Sequence, residues 1–306
     1  MSWINRDSVL GVLVFLSVGS AGIGSAEPVV QEAVGWANEA SGLIAELTGE
    51  AEEAQLDAYD SVWLWRDLMV AQGRLGDAEG LEVTAARLRG LREVMGEDER
   101  GWLASVESSG WAGAERWERA EALAAKATGV DQWEAWSELA YYRGRSGDAA
   151  GLEAGMARVY AALRAAAGGV GDVDEFDVDF GWYYAVSSHA WGGSAAATAS
   201  AWEASRGLGD PVTQRGVDAV LAWAFAESDG LGHAERARRL ATRMQAEIDA
   251  LTAKEQAGEV EDFDPDFPES ELLRLDLIGA YAALGDVAAM DRELRLLGGA
   301  TCCWTG

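Results

Sequence analysis

The chain has 306 residues, and 52 acidic residues against 24 basic ones leave a formal net charge of −28. Such a field repels nucleic-acid phosphates and anionic membrane surfaces, which excludes nucleic acid as a partner and leaves basic proteins or peptides as compatible ones. A hydrophobic fraction of 49% with 14 Trp excludes a disordered chain, and the scarcity of β-branched runs beside abundant Ala, Leu, Glu and Arg excludes a strand-rich fold.

Residues 1–26 read as a signal peptide. Arg6 precedes the uncharged run Val9–Val18, and small residues close the segment at Gly24-Ser25-Ala26. That is a charged start, an apolar middle and a small-residue cleavage site, and the run is short for a span of about 20 residues. The expected location is therefore outside the cytoplasm, periplasmic or extracellular, with no stable membrane insertion after cleavage. An uncleaved N-terminal anchor is the alternative. Residues 27–60 carry Val29, Val30, Val34, Trp36, Leu43, Ile44 and Leu47 and read as an N-terminal helical cap or a divergent hairpin.

Residues 61–298 contain a repeated pattern, clearest in Asp131–Leu163. Trp136, Leu139, Ala140 and Tyr142 fall at helical spacing, Gly147-Asp148 interrupts, and Leu152, Met156, Val159 and Leu163 resume a helical stripe. A Gly suits the left-handed residue that ends a helix, and the Asp after it accepts N–H bonds from the next first turn. The unit is thus a helix–turn–helix hairpin. Trp65, Trp102, Trp136 and Trp182 each lie eleven residues before a glycine, at 76, 113, 147 and 193. Leu221 stands in the same relation to Gly232, and Arg274 to Gly285. Steps near 34 residues are the period of a two-helix repeat.

Two longer steps hold acidic insertions, at 168–181 and 254–269. They share a hexamer pattern, Glu175–Phe180 and Asp262–Phe267. Acids favour helix N-termini and a Phe can staple the entering chain onto the preceding repeat. Closely spaced carboxylates also suit Ca²⁺, but neither insertion has the glycine and glutamate of an EF-hand loop, and no metal site is assigned.

No catalytic device is legible. The two histidines, His189 and His233, lie in different hairpins, and His189 reads as a packing residue. No nucleophile elbow and no phosphate-cradling loop occurs. Cys302 and Cys303 in the 299–306 tail are adjacent and form no CxxC motif. No catalytic residue and no cofactor follow from the sequence.

The early Trp, the Leu139-Ala140 pair three and four residues after it, and the Gly-Asp turn resemble the tetratricopeptide repeat family. The inter-repeat proline of that family is mostly missing, and a small residue expected early in the second helix is Leu81 or Leu152 in two copies. The resemblance implies an all-α fold of antiparallel helix hairpins stacked as a right-handed α-solenoid, or superhelix. It also implies that first helices line a concave groove. Residues one, two and five after the register position would then face that groove, selecting Arg66, Glu138, Tyr141, Tyr183, Tyr184 and Trp223; Arg74, Arg145 and Trp191 lie farther along the same helices. The register tryptophans themselves read as core. The expected function is an exported scaffold that binds a segment of a partner protein. The alternative is a glycan-binding or glycan-cleaving α/α-toroid protein using Trp platforms and carboxylates near Asp177 and Asp264.

Overall fold

The computed structural model describes residues 42, 58–96, 99–167, 175–206, 208, 211–228, 230–260 and 269–301. The signal segment, most of the 27–60 region, the hexamer 262–267 and the two cysteines lie outside them. Among the described residues there are twelve α-helices and no strand. They are α1 (Ala58–Leu75), α2 (Ala78–Gly90), α3 (Glu99–Gly113), α4 (Trp117–Ala124), α5 (Gly129–Arg145) and α6 (Ala149–Ala167). Then follow α7 (Glu175–Gly192), α8 (Ala195–Ser205), α9 (Pro211–Glu227), α10 (His233–Ala257), α11 (Glu269–Leu284) and α12 (Val287–Thr301).

The turns follow the chemistry of the sequence. Gly147 has φ +93°, a value that side chains rarely adopt, and Asp148 behind it accepts the Gly151 N–H at 2.8 Å. Asp77 and Asp286 cap α2 and α12 in the same way, at 2.9 and 3.1 Å. Three hairpins solve the turn differently, and before α10 the left-handed Gly232 is itself the N-cap, with no side-chain cap bond. After α3 the left-handed residue is Glu115 (φ 58°) rather than Gly113, which ends the helix. Between α7 and α8, Ser194 accepts the Ala196 N–H at 3.3 Å.

The chain divides into two compact units, residues 1–135 and 136–306, the boundary falling inside α5. In the first, α1 packs on α2 and α3, and α3 on α4. In the second, α7 packs on α6, α8 and α9, α9 on α10 and α11, and α11 on α10 and α12. Within each unit, first helices of successive hairpins therefore touch, α1 with α3, α7 with α9 and α9 with α11.

The eleven-residue register predicts burial well. Trp65, Trp182 and Leu221 are buried at the register position, as are Leu68, Met69, Leu139, Ala140, Ala185, Val186, Ala224, Phe225 and Leu277 three and four residues after it. Two of the expected core tryptophans are only half-buried. Trp102 meets Trp63 edge to face at 5.5 Å, and Trp136 lies under the Arg158 guanidinium at 4.3 Å. The fully packed indoles of α3 and α5 are instead Trp111 and Trp133.

The helices also differ from the expected insertion bounds. Residues 175–181 are the first two turns of α7, and α10 runs on to Ala257. Phe180 does not staple the chain onto the preceding repeat: it is 44% exposed and stacks on Tyr184, one turn along its own helix.

In the last hairpin Arg274 takes the register position and is buried. Its guanidinium bonds Glu293 of α12, Thr252 at 2.9 Å and Asp249 at 3.3 Å, while Gln245 and Arg292 also reach Glu293. Burying a charge is tolerated only when its partner is in place. Arg274→Leu should therefore cost about 3 kcal/mol in urea unfolding, and Arg274→Leu/Glu293→Leu should cost less than the single change. Equal or greater loss in the double variant would count against the pairing.

Candidate functional site

The site is built on the outer stripe of α7. Val178, Trp182, Ala185, Val186, His189 and Ala190 of that helix are buried, so the opposite stripe presents Phe180, Tyr183, Tyr184, Ser187 and Trp191. Five of the six residues picked from the sequence lie in the second unit. Glu138 and Tyr141 are on α5, Tyr183 and Tyr184 on α7, and Trp223 on α9. Arg66 belongs to the first unit, where it bonds Asp67 at 2.6 Å and covers the Trp63 ring at 4.8 Å.

Several of these side chains meet. The Tyr184 hydroxyl donates to Glu138, joining α7 to α5. Tyr141 packs edge to face with Tyr142 at 5.0 Å, and its backbone passes close to Gly192. Trp223 meets Trp191 edge to face at 5.1 Å and donates its indole N–H to Glu227 at 2.7 Å. Tyr183 lies over Gly216 of α9, and its hydroxyl reaches Asp276 of α11 at 3.3 Å. Arg74 and Arg145 are exposed on the last turns of α1 and α5.

Sequence reasoning missed Asp276 and Glu227. Asp276 stands two residues after the register position Arg274, the same offset that selected Glu138, Tyr184 and Trp223. Applying the rule to the last hairpin would have found it. Glu227 follows Trp223 by four residues, the spacing at which helix side chains meet.

Two buried titratable groups stand out. Asp276 is 7% exposed and among the described residues its hydrogen bond comes from a neutral phenol, so desolvation pushes its carboxyl up to about 7. The same burial, with the carboxylate beside it, raises Tyr183 above its ordinary range. His189 is held neutral. Burial lowers its pKa, although Glu153 opposes the shift. Its Nε2–H donates to Glu153 at 3.2 Å and its Nδ1 accepts the Tyr160 hydroxyl at 3.1 Å. His233 opens α10, its ring against Phe225 at 4.8 Å and its Nδ1 bonded to Ser228.

Among the described residues no group of three or more His, Cys, Asp or Glu side chains is placed to hold a metal ion. The Asp177 side chain and Asp264, named for the glycan alternative, lie outside the described side chains. Among the described residues no helix is long and apolar enough to cross a membrane.

Compared with known proteins, the chain matches no family model, no curated protein and no solved structure.

The two shifted groups pull stability in opposite directions with pH. Asp276 binds its proton more tightly folded than unfolded, so its contribution is complete below about pH 4 and lost as pH rises through about 7. His189 binds its proton less tightly folded, so its contribution is complete above about 6.5 and lost as pH falls. Asp276→Asn should raise stability at pH 8.5 by up to about 4 kcal/mol and give no gain near pH 4. His189→Asn should flatten the loss between pH 7.5 and 5.5. Thermal melts from about pH 4 to about pH 8.5 measure both; a gain in Asp276→Asn that does not grow with pH would contradict the assignment.

Proposed function

We propose that this chain is an exported interaction scaffold of tetratricopeptide-like hairpins, stacked as a right-handed α-solenoid. The first-helix face of the second unit holds a segment of a partner protein. The observation that carries this reading is the aromatic row Phe180, Tyr183, Tyr184, Trp191 and Trp223. These five rings share the face of two adjacent first helices and retain partial exposure, where an ordinary helix surface carries charged and small residues. Partly buried Tyr and Trp supply large contact area at low entropy cost, the composition of binding hot spots. Register arithmetic supports the repeat assignment, since positions three and four after the register are core in hairpin after hairpin. Tyr183 crosses α9 to reach Asp276 on α11, which fits a face that curves inward.

A photo-crosslinking phenylalanine analogue at Phe180 tests the face directly, with the same analogue at Arg239 on α10 as control. The expected result is an adduct of defined mass from the exported fraction at Phe180 alone. That adduct should vanish in the Tyr183→Ala/Tyr184→Ala/Trp223→Ala variant with helicity unchanged by circular dichroism. Adducts only at Arg239, or adducts indifferent to the triple variant, would remove the groove assignment.

A further inference from the structure

We infer that the occupant of this face is a basic peptide segment with two cationic side chains, seated on two aromatic–carboxylate pockets. The inference rests on the scaffold reading above and specifies its ligand.

The first seat is made by Phe180 and Tyr184, ring centroids 6.0 Å apart at 30°, with Glu138 held against the Tyr184 hydroxyl. The second is made by Trp191 and Trp223, 5.1 Å apart at 76°, with Glu227 held at 2.7 Å by the Trp223 indole. The two share a design: two rings from one or two first helices, and a carboxylate positioned by the polar atom of one ring. Ring faces carry negative potential, and a carboxylate at the ring edge adds a full charge. A guanidinium or ammonium satisfies both at once, stacking on the ring while donating to the carboxylate. A carboxylate-bearing ligand is repelled by the same atoms.

The surrounding charge points the same way. α7 contains Glu175, Asp177 and Asp179 and no Lys or Arg. On α9 the arginine is Arg215, bonded to Glu269 at 3.0 Å, and on α11 it is Arg274, buried against Glu293. α5, the helix of Glu138, also carries Asp131 and Glu134, against Arg143, which lies 3.7 Å from Asp148, and the exposed Arg145. The whole chain, at −28, draws a basic partner in and holds acidic ones off.

Spacing narrows the ligand further. Tyr184 and Trp191 are seven residues apart on one helix face, about 10 Å along the axis. A peptide in the polyproline II conformation rises about 3.1 Å per residue and returns to the same face every third residue, so it covers that distance from i to i+3. The fitting segment therefore carries arginine or lysine at positions i and i+3.

The probe is a short fluorescein-labelled peptide with two arginines three positions apart, read by anisotropy in low and in physiological salt. Companion peptides carry citrulline in place of both arginines, or the two arginines side by side. The arginine peptide should bind at least about tenfold tighter than the citrulline peptide and measurably tighter than the adjacent-arginine one. Glu138→Gln/Glu227→Gln should weaken it about tenfold, whereas Glu203→Gln/Glu235→Gln, with the same charge change on second helices, should not. Equal binding of arginine and citrulline peptides would overturn the proposal. So would equal loss in the two double variants, which would mean attraction to net charge alone, or equally tight binding of a linear polyamine. The crosslink at Phe180 separates the two levels of inference. An adduct that survives Glu138→Gln/Glu227→Gln defeats the cationic seats and leaves the scaffold reading standing; no adduct from any variant defeats both.

Discussion

First helices that approach closely have nowhere to put large side chains except outward, and that constraint shapes the second unit. A Cβ built on Gly144 of α5 would lie 2.2 Å from the Gly192 carbonyl oxygen of α7. One on Gly279 of α11 would lie 2.5 Å from the Trp223 ring. Backbone meets backbone in one case and an indole lies on bare backbone in the other. Glycine at such contacts is a packing requirement, independent of its freedom in turns. With the contact plane filled by small residues, the bulk on α7 divides cleanly. Trp182 and Val186 turn toward the second helices, and Phe180, Tyr184 and Trp191 are left on the opposite stripe.

Three polar atoms of this face are satisfied by acids on neighbouring turns and helices, whereas the Trp191 indole N–H is buried without a hydrogen-bond partner among the described residues. Tyr184 finds Glu138, Tyr183 finds Asp276, and Trp223 finds Glu227. Those bonds hold Tyr183, Tyr184 and Trp223 in place, which under the proposed reading would lower the ordering cost of binding. The same bonds tie α5 to α7 and α7 to α11, so the residues that shape the face also link the hairpins. The proposed recognition would use side chains that also hold the helices together, which is why a helicity check accompanies the substitutions on this face.

Much of the hairpin architecture was legible because it rests on local chemistry. The Gly-Asp turn and the helical period each act within a few residues, and counting eleven back from a glycine found the buried position in four hairpins of six. What the count missed was tertiary. Arg274 at a core position makes sense only with Glu293, Thr252 and Asp249 brought beside it from α12 and α10. Counting put Arg274 at the register position, but the groove offsets were not carried into that hairpin, and Asp276 two places on was passed over. Trp102 and Trp136 were misread for a related reason: spacing fixes a helix face, and how deep that face lies depends on the neighbour. The early start of α7 was missed because an acidic run resembles a loop in composition, although acids favour the first turn of a helix.

The buried arginine of the last hairpin has one more effect. A helix held only by apolar contacts can slide or rotate by a residue and find nearly equivalent packing. A one-residue slip of α12 turns Glu293 through about 100°, away from Arg274, and leaves the buried guanidinium with only Asp249 and Thr252 of α10. The final helix thus has a single seat on the array, enforced by the penalty for every other one.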